Sequence, residues 1–279
     1  MTAQRSVNGA RRITLRAGGH TLAALQAGAS NAPRALLVPG FTGSKEDFGP
    51  ILGRLARAGF QVTAIDLPGQ YESPGLPTQA DYAPDALARV VHVVASQLGP
   101  PVHLLGHSFG GFVTRAAVIE DSTPFTSHVL MDSGPSAIQG RRRALIDEME
   151  PLLATEGIEA VHRATAAASA ALPGFSEPAP EVAEFLHRRF VSGSPIMLAG
   201  MGDAVRHEPD RVAEVRASAV GLPTLVLYGA HDDAWTAGEL SSMAAAIGCR
   251  AVEIPDAAHS PAVENPGATA AALIDFWRS

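Results

Sequence analysis

Ser108 lies in a sequence context that could make it a nucleophile. It is the middle residue of Gly106-His107-Ser108-Phe109-Gly110, which follows the apolar run 102–105 and precedes a helix-like run over 109–119. A serine on a sharp strand-to-helix turn has strained backbone angles, and the flanking glycines leave room for that turn. The turn lifts the serine oxygen out of the sheet and points the first amides of the next helix at the group it attacks.

A serine hydroxyl needs a base within hydrogen-bond reach, and later segments of the chain can supply one. Histidine suits this role because it titrates near neutral pH, and a carboxylate is then needed to orient the imidazole. Asp232 and Asp233 follow the apolar run 224–228, and His259 follows the next strand-like run. The order along the chain is therefore serine, acid, histidine, with Ser108, Asp232 and His259 as the candidates.

The remaining pattern predicts an α/β fold that would bring these strand ends together. Apolar strand-like runs alternate with helical patterns along most of the chain, a rhythm typical of crossover units in a parallel sheet. The first two runs, separated by Gly18 and Gly19, are predicted to form an antiparallel hairpin. The predicted fold is a mostly parallel eight-stranded sheet with helices on both faces. The predicted strands are 12–15, 21–26, 35–38, 61–65, 102–105, 128–131, 224–228 and 250–254.

The alternation of strands and helices stops between residues 136 and 219. Helical patterns occur there at 141–153, 158–171, 181–191 and 211–218, joined by segments rich in proline and glycine, and no strand is predicted. We interpret this segment as a helical cap inserted after the sixth strand. The predicted domain organisation is thus a core over 1–135, a cap over 136–219 and the rest of the core over 220–279.

Composition narrows the class of protein. The 279 residues are 46% hydrophobic and 18% charged, which suits a chain that buries a large core. The net charge of -7 argues against a nucleic-acid partner. Cys249 is the only cysteine, so no intrachain disulfide is expected. No apolar segment reaches the ~18 residues of a membrane span, and no signal-peptide pattern precedes the first strand. We therefore expect a cytoplasmic enzyme that does not bind a membrane.

The motifs at the predicted strand ends resemble those of the α/β-hydrolase fold superfamily over nearly the whole chain. Many members have His-Gly where this chain has Pro39-Gly40, a change that alters how the loop is anchored but keeps the following backbone amide. The matching motifs are Val38-Pro39-Gly40-Phe41, Asp66-Leu67-Pro68-Gly69, Gly106-His107-Ser108-Phe109-Gly110, Gly229-Ala230-His231-Asp232 and Ala258-His259-Ser260-Pro261.

The resemblance implies roles for individual residues. Ser108 would be the nucleophile, His259 the base and Asp232 the orienting acid. The backbone N–H groups of Phe41 and Phe109 would form the oxyanion hole, where each donor is worth about 10²–10³ in rate. We expect neither a metal ion nor an organic cofactor.

Some assignments have alternatives. Asp233 is predicted to face solvent or to cap the following turn, and Asp132, after the sixth strand, is where some relatives carry the acid. His107 and His231 are predicted to pack locally. A solvated helix end is the interpretation of the cluster Asp203, His207 and Glu208. A charged helix face is the interpretation of the cluster Arg141, Arg142 and Arg143, with a clamp for an anionic substrate as its alternative. Met197, Leu198, Met201 and Trp235 could line a pocket or belong to the core.

The expected function is that of a serine hydrolase of the carboxylic ester hydrolase class. It would cleave an ester, thioester or lactone of a small apolar acyl compound through an acyl-enzyme on Ser108. A serine nucleophile argues against the dehalogenase and epoxide-hydrolase branches of the fold, which use aspartate. Enzymatic alternatives with the same triad are a carbon–carbon-bond hydrolase, a cofactor-free perhydrolase of the haloperoxidase type and an acyltransferase. The non-enzymatic alternative is a ligand-binding receptor on a hydrolase scaffold.

Overall fold

A computed structural model describes residues 9–17, 19–171 and 177–279 and contains one sheet of eight strands. The order across the sheet is β1-β2-β4-β3-β5-β6-β7-β8, with β2 antiparallel to β1 and β4 and every other neighbouring pair parallel. The predicted mostly parallel sheet and its antiparallel hairpin are confirmed; Gly18 lies outside the described residues. The strands are β1 (Arg11–Ala17), β2 (His20–Ala27), β3 (Arg34–Val38), β4 (Gln61–Ile65), β5 (Val102–His107), β6 (Phe125–Met131), β7 (Thr224–Gly229) and β8 (Arg250–Ile254).

The helices lie on both faces of this sheet because successive strand residues point to opposite sides. Leu104 of β5 belongs to the buried cluster that contains Phe112 and Leu87, whereas Leu105 belongs to a second cluster that contains Leu52 and Leu273. Each fully buried leucine contributes about 1.5–3 kcal/mol to stability. The helices are α1 (Gly49–Arg57), α2 (Pro84–Leu98), α3 (Phe109–Glu120), α4 (Gly140–Glu156), α5 (Ile158–Ala170), α6 (Pro180–Val191), α7 (Pro195–His207), α8 (Val212–Ser218), α9 (Ala237–Ile247), α10 (Pro261–Glu264) and α11 (Pro266–Arg278), with 3-10 helices at Lys45–Phe48 and Gln79–Tyr82.

In the described part of the chain between β6 and β7 there are five helices, α4 to α8, and one of them, α7, is not predicted by the sequence analysis. Its two internal glycines lower helix propensity and hide the pattern. One of them is required by packing: a Cβ on Gly200 would lie 2.6 Å from the backbone oxygen of Gln79. Ser194 caps the helix by accepting a hydrogen bond from the Met197 N–H, and Pro195 occupies its first turn.

The inserted helices contact the loops that follow β3 and β4. A Cβ on Gly69 would lie 2.7 Å from Met197, and one on Gly202 would lie 3.3 Å from the ring of Phe41. Ser194 donates its N–H to the Gly69 oxygen at 2.8 Å. That these helices act as a cap with boundaries at 136 and 219 stays a prediction.

Arg115 in α3 ties together the two ends of the segment that carries α4 to α7. Its buried guanidinium donates to the backbone oxygens of Gly134 (3.0 Å) and Pro135 (2.7 Å) at one end. At the other end it donates to the Glu208 carboxylate (2.8 Å) and the Pro209 oxygen (3.3 Å). The prediction of a solvated helix end is therefore wrong for Glu208, which is buried against a cation 93 residues earlier in the chain.

Candidate active site

Ser108 occupies the turn between β5 and α3 with a left-handed backbone (φ +52°, ψ −121°). A non-glycine residue with positive φ costs about 1–3 kcal/mol and persists only where its surroundings hold it. Both flanking glycines are sterically required here. A Cβ on Gly106 would lie 2.3 Å from the Gly110 oxygen, and one on Gly110 would lie 2.4 Å from the Val38 oxygen. Ser108 also donates its N–H to the Met131 oxygen at 2.9 Å, which fixes the turn against β6.

The structure brings Ser108, His259 and Asp232 together at the ends of β5, β8 and β7. The Ser108 hydroxyl lies 3.0 Å from Nε2 of His259, and Nδ1 of the same ring lies 2.8 Å from Oδ1 of Asp232. The side chains of His259 and Asp232 are 10% and 1% exposed. In this arrangement the serine O–H can donate to Nε2 while Nδ1–H donates to the carboxylate, so the imidazole can accept the serine proton.

Backbone contacts hold the loop that carries His259. The Glu264 carboxylate accepts hydrogen bonds from the N–H groups of Ala258 (2.6 Å) and Ser260 (3.3 Å), on either side of the histidine. Nε2 of His107 lies 2.7 Å from the His259 backbone oxygen. Burial lowers the pKa of His107 to about 4, so its ring is neutral and Nε2 carries the proton that it donates. His107 thus packs locally, as predicted, and its neighbour is the loop of the candidate base.

The loop that carries Phe41 lies directly against the serine. A Cβ on Gly40 would be 3.1 Å from the Ser108 Cβ, so this loop and the turn that carries the serine are in close contact. Phe109 is the first residue of α3, where helix N–H groups have no partner within the helix. The assignment of these two amides as an oxyanion hole stays a prediction.

Gln70 holds this loop, and the sequence analysis assigns no role to it. Its buried amide Nε2 donates to the backbone oxygens of Gly40 (2.7 Å) and Phe41 (3.3 Å). Its Oε1 accepts from the Leu67 N–H at 2.9 Å, which closes its own loop. A glutamine in a turn-rich loop carries no local signal for contacts made 30 residues away.

The two alternative acids have different positions. Asp132 is fully buried with φ +44°, and its Oδ1 accepts the Gly229 N–H at 2.9 Å. Asp233 is about half exposed and pairs with Arg142 of α4 at 2.6 Å, so its charge has a partner as well as solvent. Arg143, in turn, pairs with Asp147 at 3.5 Å.

Asp132, Asp232 and His259 are the acidic and histidine side chains that lie close enough to be considered as metal ligands in the part of the chain that the structure describes. Their candidate ligand atoms lie within 4.8 Å of one another. However, the 2.8 Å between His259 Nδ1 and Asp232 Oδ1 is a hydrogen-bond distance, and the proton between them uses the lone pair that an ion would need.

Apolar side chains lie around the candidate site. Trp235 is buried, and its ring centroid lies 6.1 Å from that of His259. Two small, partly open cavities adjoin Phe41 and Thr42. Leu198 lines both cavities and is itself buried, so it belongs to the pocket and the core at once.

Comparison with known proteins decides the family. Residues 35–272 match the model of the alpha/beta hydrolase family. The chain belongs to this family. It is 31% identical over 264 residues to the putative carbamate hydrolase RutD of Variovorax paradoxus (strain S110), covering 89% of this chain and 93% of that protein.

Solved structures of this hydrolase family have the same fold. A thermophilic esterase from Thermogutta terrifontis is 25% identical, with a TM-score of 0.78 over 96% of this chain and 98% of the esterase. A hydrolase from Pseudomonas aeruginosa PA01 is 26% identical, with the same TM-score and coverage. The resemblance inferred from the strand-end motifs is confirmed. Among the described residues, no helix is both long and apolar enough to cross a membrane.

Proposed function

We propose that this chain is a serine hydrolase that cleaves a carboxylic ester, thioester or lactone of a small apolar acyl compound. The observation that carries the proposal is the continuous series of contacts from the Ser108 hydroxyl through His259 to Asp232, at 3.0 and 2.8 Å. A hydroxyl, an imidazole and a carboxylate in this order are the groups that acyl transfer to a serine requires.

In the proposed mechanism, Ser108 attacks the substrate carbonyl carbon while His259 takes the hydroxyl proton. The backbone N–H groups of Phe41 and Phe109 donate hydrogen bonds to the oxyanion that forms. His259 then gives its proton to the leaving alcohol or thiol, and an acyl-enzyme remains on Ser108. Water attacks this ester with His259 again as the base, which frees the acid and restores the serine. Asp232 stays ionised and stabilises the imidazolium in both halves.

We also propose that α4 to α8 form a cap over this site, within the boundaries 136–219. Contacts of α7 with Phe41 and Gly69 support this role. Phe41, Met149 and Leu198 form apolar walls between the loops and these helices. An apolar acyl group suits such walls because covering apolar ligand surface with apolar side chains removes both from water.

A carbamate hydrolase is the second candidate function, favoured by the 31% identical relative of that name. A carbamate presents the same kind of carbonyl to Ser108, so the triad alone does not separate the two. A panel of short and long p-nitrophenyl esters, a lactone, a thioester and a p-nitrophenyl carbamate separates them. We expect the highest kcat/KM on a short-chain ester; a carbamate preferred over every ester would select the second candidate.

A fluorophosphonate probe tests the serine mechanism directly. We expect one phosphonyl group per wild-type chain, located by peptide mass spectrometry at Ser108, and none on Ser108→Ala. Ser122→Ala, which removes a serine in the turn before β6, is the matched control and should react as the wild type does. A folded wild-type protein that does not react would favour the receptor alternative.

Gln70→Met should slow the fluorophosphonate reaction about tenfold. The substitution keeps the volume of the side chain but removes the N–H donor that holds the backbone of Gly40 and Phe41. The measurement is the second-order rate of fluorophosphonate labelling, with the melting temperature as a check on folding. Gln79→Met, an exposed glutamine in the Gln79–Tyr82 helix, is the control and should leave the rate unchanged. Equal rates for the two variants would exclude a positioning role for Gln70.

A further inference from the structure

Two carboxyl groups lie together behind the candidate base. Asp132 follows β6 and Asp232 follows β7, and these strands are neighbours in the sheet. Both side chains are buried, and their candidate oxygens lie within 4.8 Å of each other and of a ring nitrogen of His259. A single acid is enough to orient the histidine, so the second carboxyl group needs a separate explanation.

The hydrogen bonds leave one oxygen of each carboxyl group without a partner. Oδ1 of Asp232 accepts from His259 Nδ1 and from the Ala234 N–H, both at 2.8 Å. Oδ1 of Asp132 accepts from the Gly229 N–H at 2.9 Å. Oδ2 of both residues is buried and has no hydrogen-bond partner in the structure. Buried carboxylate oxygens without a donor are costly, and a hydrogen bond between the two neighbouring carboxyl groups would satisfy one oxygen of each.

The groups around the two carboxyl groups favour a proton on Asp132. Asp232 and Glu264 both disfavour a negative charge on Asp132, His107 is neutral, and His259 contacts Asp232 through Oδ1. Within the described residues, neither carboxyl group forms an ion pair with an arginine or lysine. Burial, followed by the charge of Asp232, raises the pKa of Asp132 well above its usual range.

We propose that Asp132 is a neutral positioning residue whose carboxyl O–H donates to Oδ2 of Asp232. One proton then satisfies both unpartnered oxygens. The bond keeps Asp232 ionised and holds its Oδ1 towards Nδ1 of His259. The proposal builds on the proposed function, since it assigns Asp132 a role in orienting the base of that mechanism; Asp132 itself touches no reacting atom.

Two substitutions at this position separate a proton donor from a carboxylate. Asparagine has the shape of a neutral aspartic acid and tolerates the left-handed backbone at φ +44°. Its amide oxygen can still accept from the Gly229 N–H while its N–H group donates to Asp232. Alanine removes both interactions. Asp132→Asn is therefore the variant that conserves the proposed bond, and Asp132→Ala is the variant that breaks it.

Infrared difference spectroscopy at pH 7, wild type minus Asp132→Asn, reads the proton without reference to activity. The expected result is a positive C=O stretch of a protonated carboxyl group in the wild type. A pair of carboxylate stretches in its place would show that Asp132 is ionised and would overturn the proposal. Because this readout needs no turnover, it holds even if the wild type does not react with fluorophosphonate and the proposed function fails.

The pH profile of fluorophosphonate labelling gives the second readout. Asp132→Asn should react within about threefold of the wild type and keep the midpoint of the acid limb, since one neutral group replaces another. If Asp132 were ionised, removing its charge would move that midpoint to lower pH by about one unit. Asp132→Ala should react about tenfold more slowly at an unchanged midpoint. A rate for Asp132→Asn as low as that of Asp232→Asn, or a wild-type rate for a folded Asp132→Ala, would contradict the proposal.

Discussion

Asp232→Asn is expected to lower kcat by about 10³- to 10⁴-fold, measured on the ester of the panel that the wild type hydrolyses fastest. The neutral amide can still fill the space of the carboxylate and accept from the Ala234 N–H. It cannot compensate the positive charge that His259 acquires when it takes the serine proton, so the loss falls on the transition state. KM should change little, because Asp232 is shielded from the substrate behind the imidazole.

The neighbouring acids provide matched controls for this variant. Asp233→Asn removes the next carboxylate along the chain, which is half exposed and pairs with Arg142. It should change kcat less than about threefold, the scale of an exposed ion pair. Asp132→Asn should also cost little. A large loss for either control, with Asp232→Asn near the wild-type rate, would move the acid of the triad to that position.

Lys45→Met is expected to lower the free energy of unfolding by about 3–5 kcal/mol. Lys45 is the only lysine of the chain, and its side chain is fully buried. Its ammonium group lies 2.8 Å from Asp66, 2.7 Å from Glu72 and 3.0 Å from Glu46. Methionine keeps the volume but leaves the buried Asp66 charge without its cation. At about 2–4 °C per kcal/mol, the melting temperature should fall by about 10 °C.

The deficit of Lys45→Met should shrink as the pH falls. Burial raises the pKa of Asp66 to about 6 even beside Lys45, above its unfolded value of 3.8. A raised folded pKa means that the protonated form favours folding, so this contribution is full below 3.8 and is lost as the pH rises through about 6. Without the cation the pKa should rise further, so the variant loses most at neutral pH and least near pH 4.

Melting curves at pH 7.5 and pH 4.5 test this dependence. Arg54→Met, which removes an exposed cation of α1, is the control and should cost less than about 0.5 kcal/mol at both values. A deficit for Lys45→Met that is equal at the two pH values would show that lost packing, and not an unpaired Asp66, causes the destabilisation.

The sheet and the three candidate triad residues were predictable because their signals are local. Each strand is a short apolar run, and Ser108, Asp232 and His259 each stand directly after one. The carboxyl ends of parallel strands meet at one edge of a sheet, so positions 124 and 27 residues apart could be placed together from their order alone.

The remaining features could not be predicted because their causes are contacts between distant segments. The sequence around Glu208 predicts a surface acid, whereas the structure pairs it with the buried Arg115 of α3. Gln70 has no helical or strand periodicity to reveal its contact with Gly40. Helix α7 depends on the close approach of Gly200 to Gln79, a packing requirement that works against the intrinsic propensity of glycine.

The hydrogen bonds of Arg115 to both ends of the inserted segment determine which parts of this segment can vary. By donating to Pro135 and Glu208 from one guanidinium, Arg115 of α3 holds the two ends of the inserted segment next to each other. Residues 136–207 can therefore vary, apart from those of α7 that pack on Gln79, Gly69 and Phe41, while the two ends of the segment stay in place.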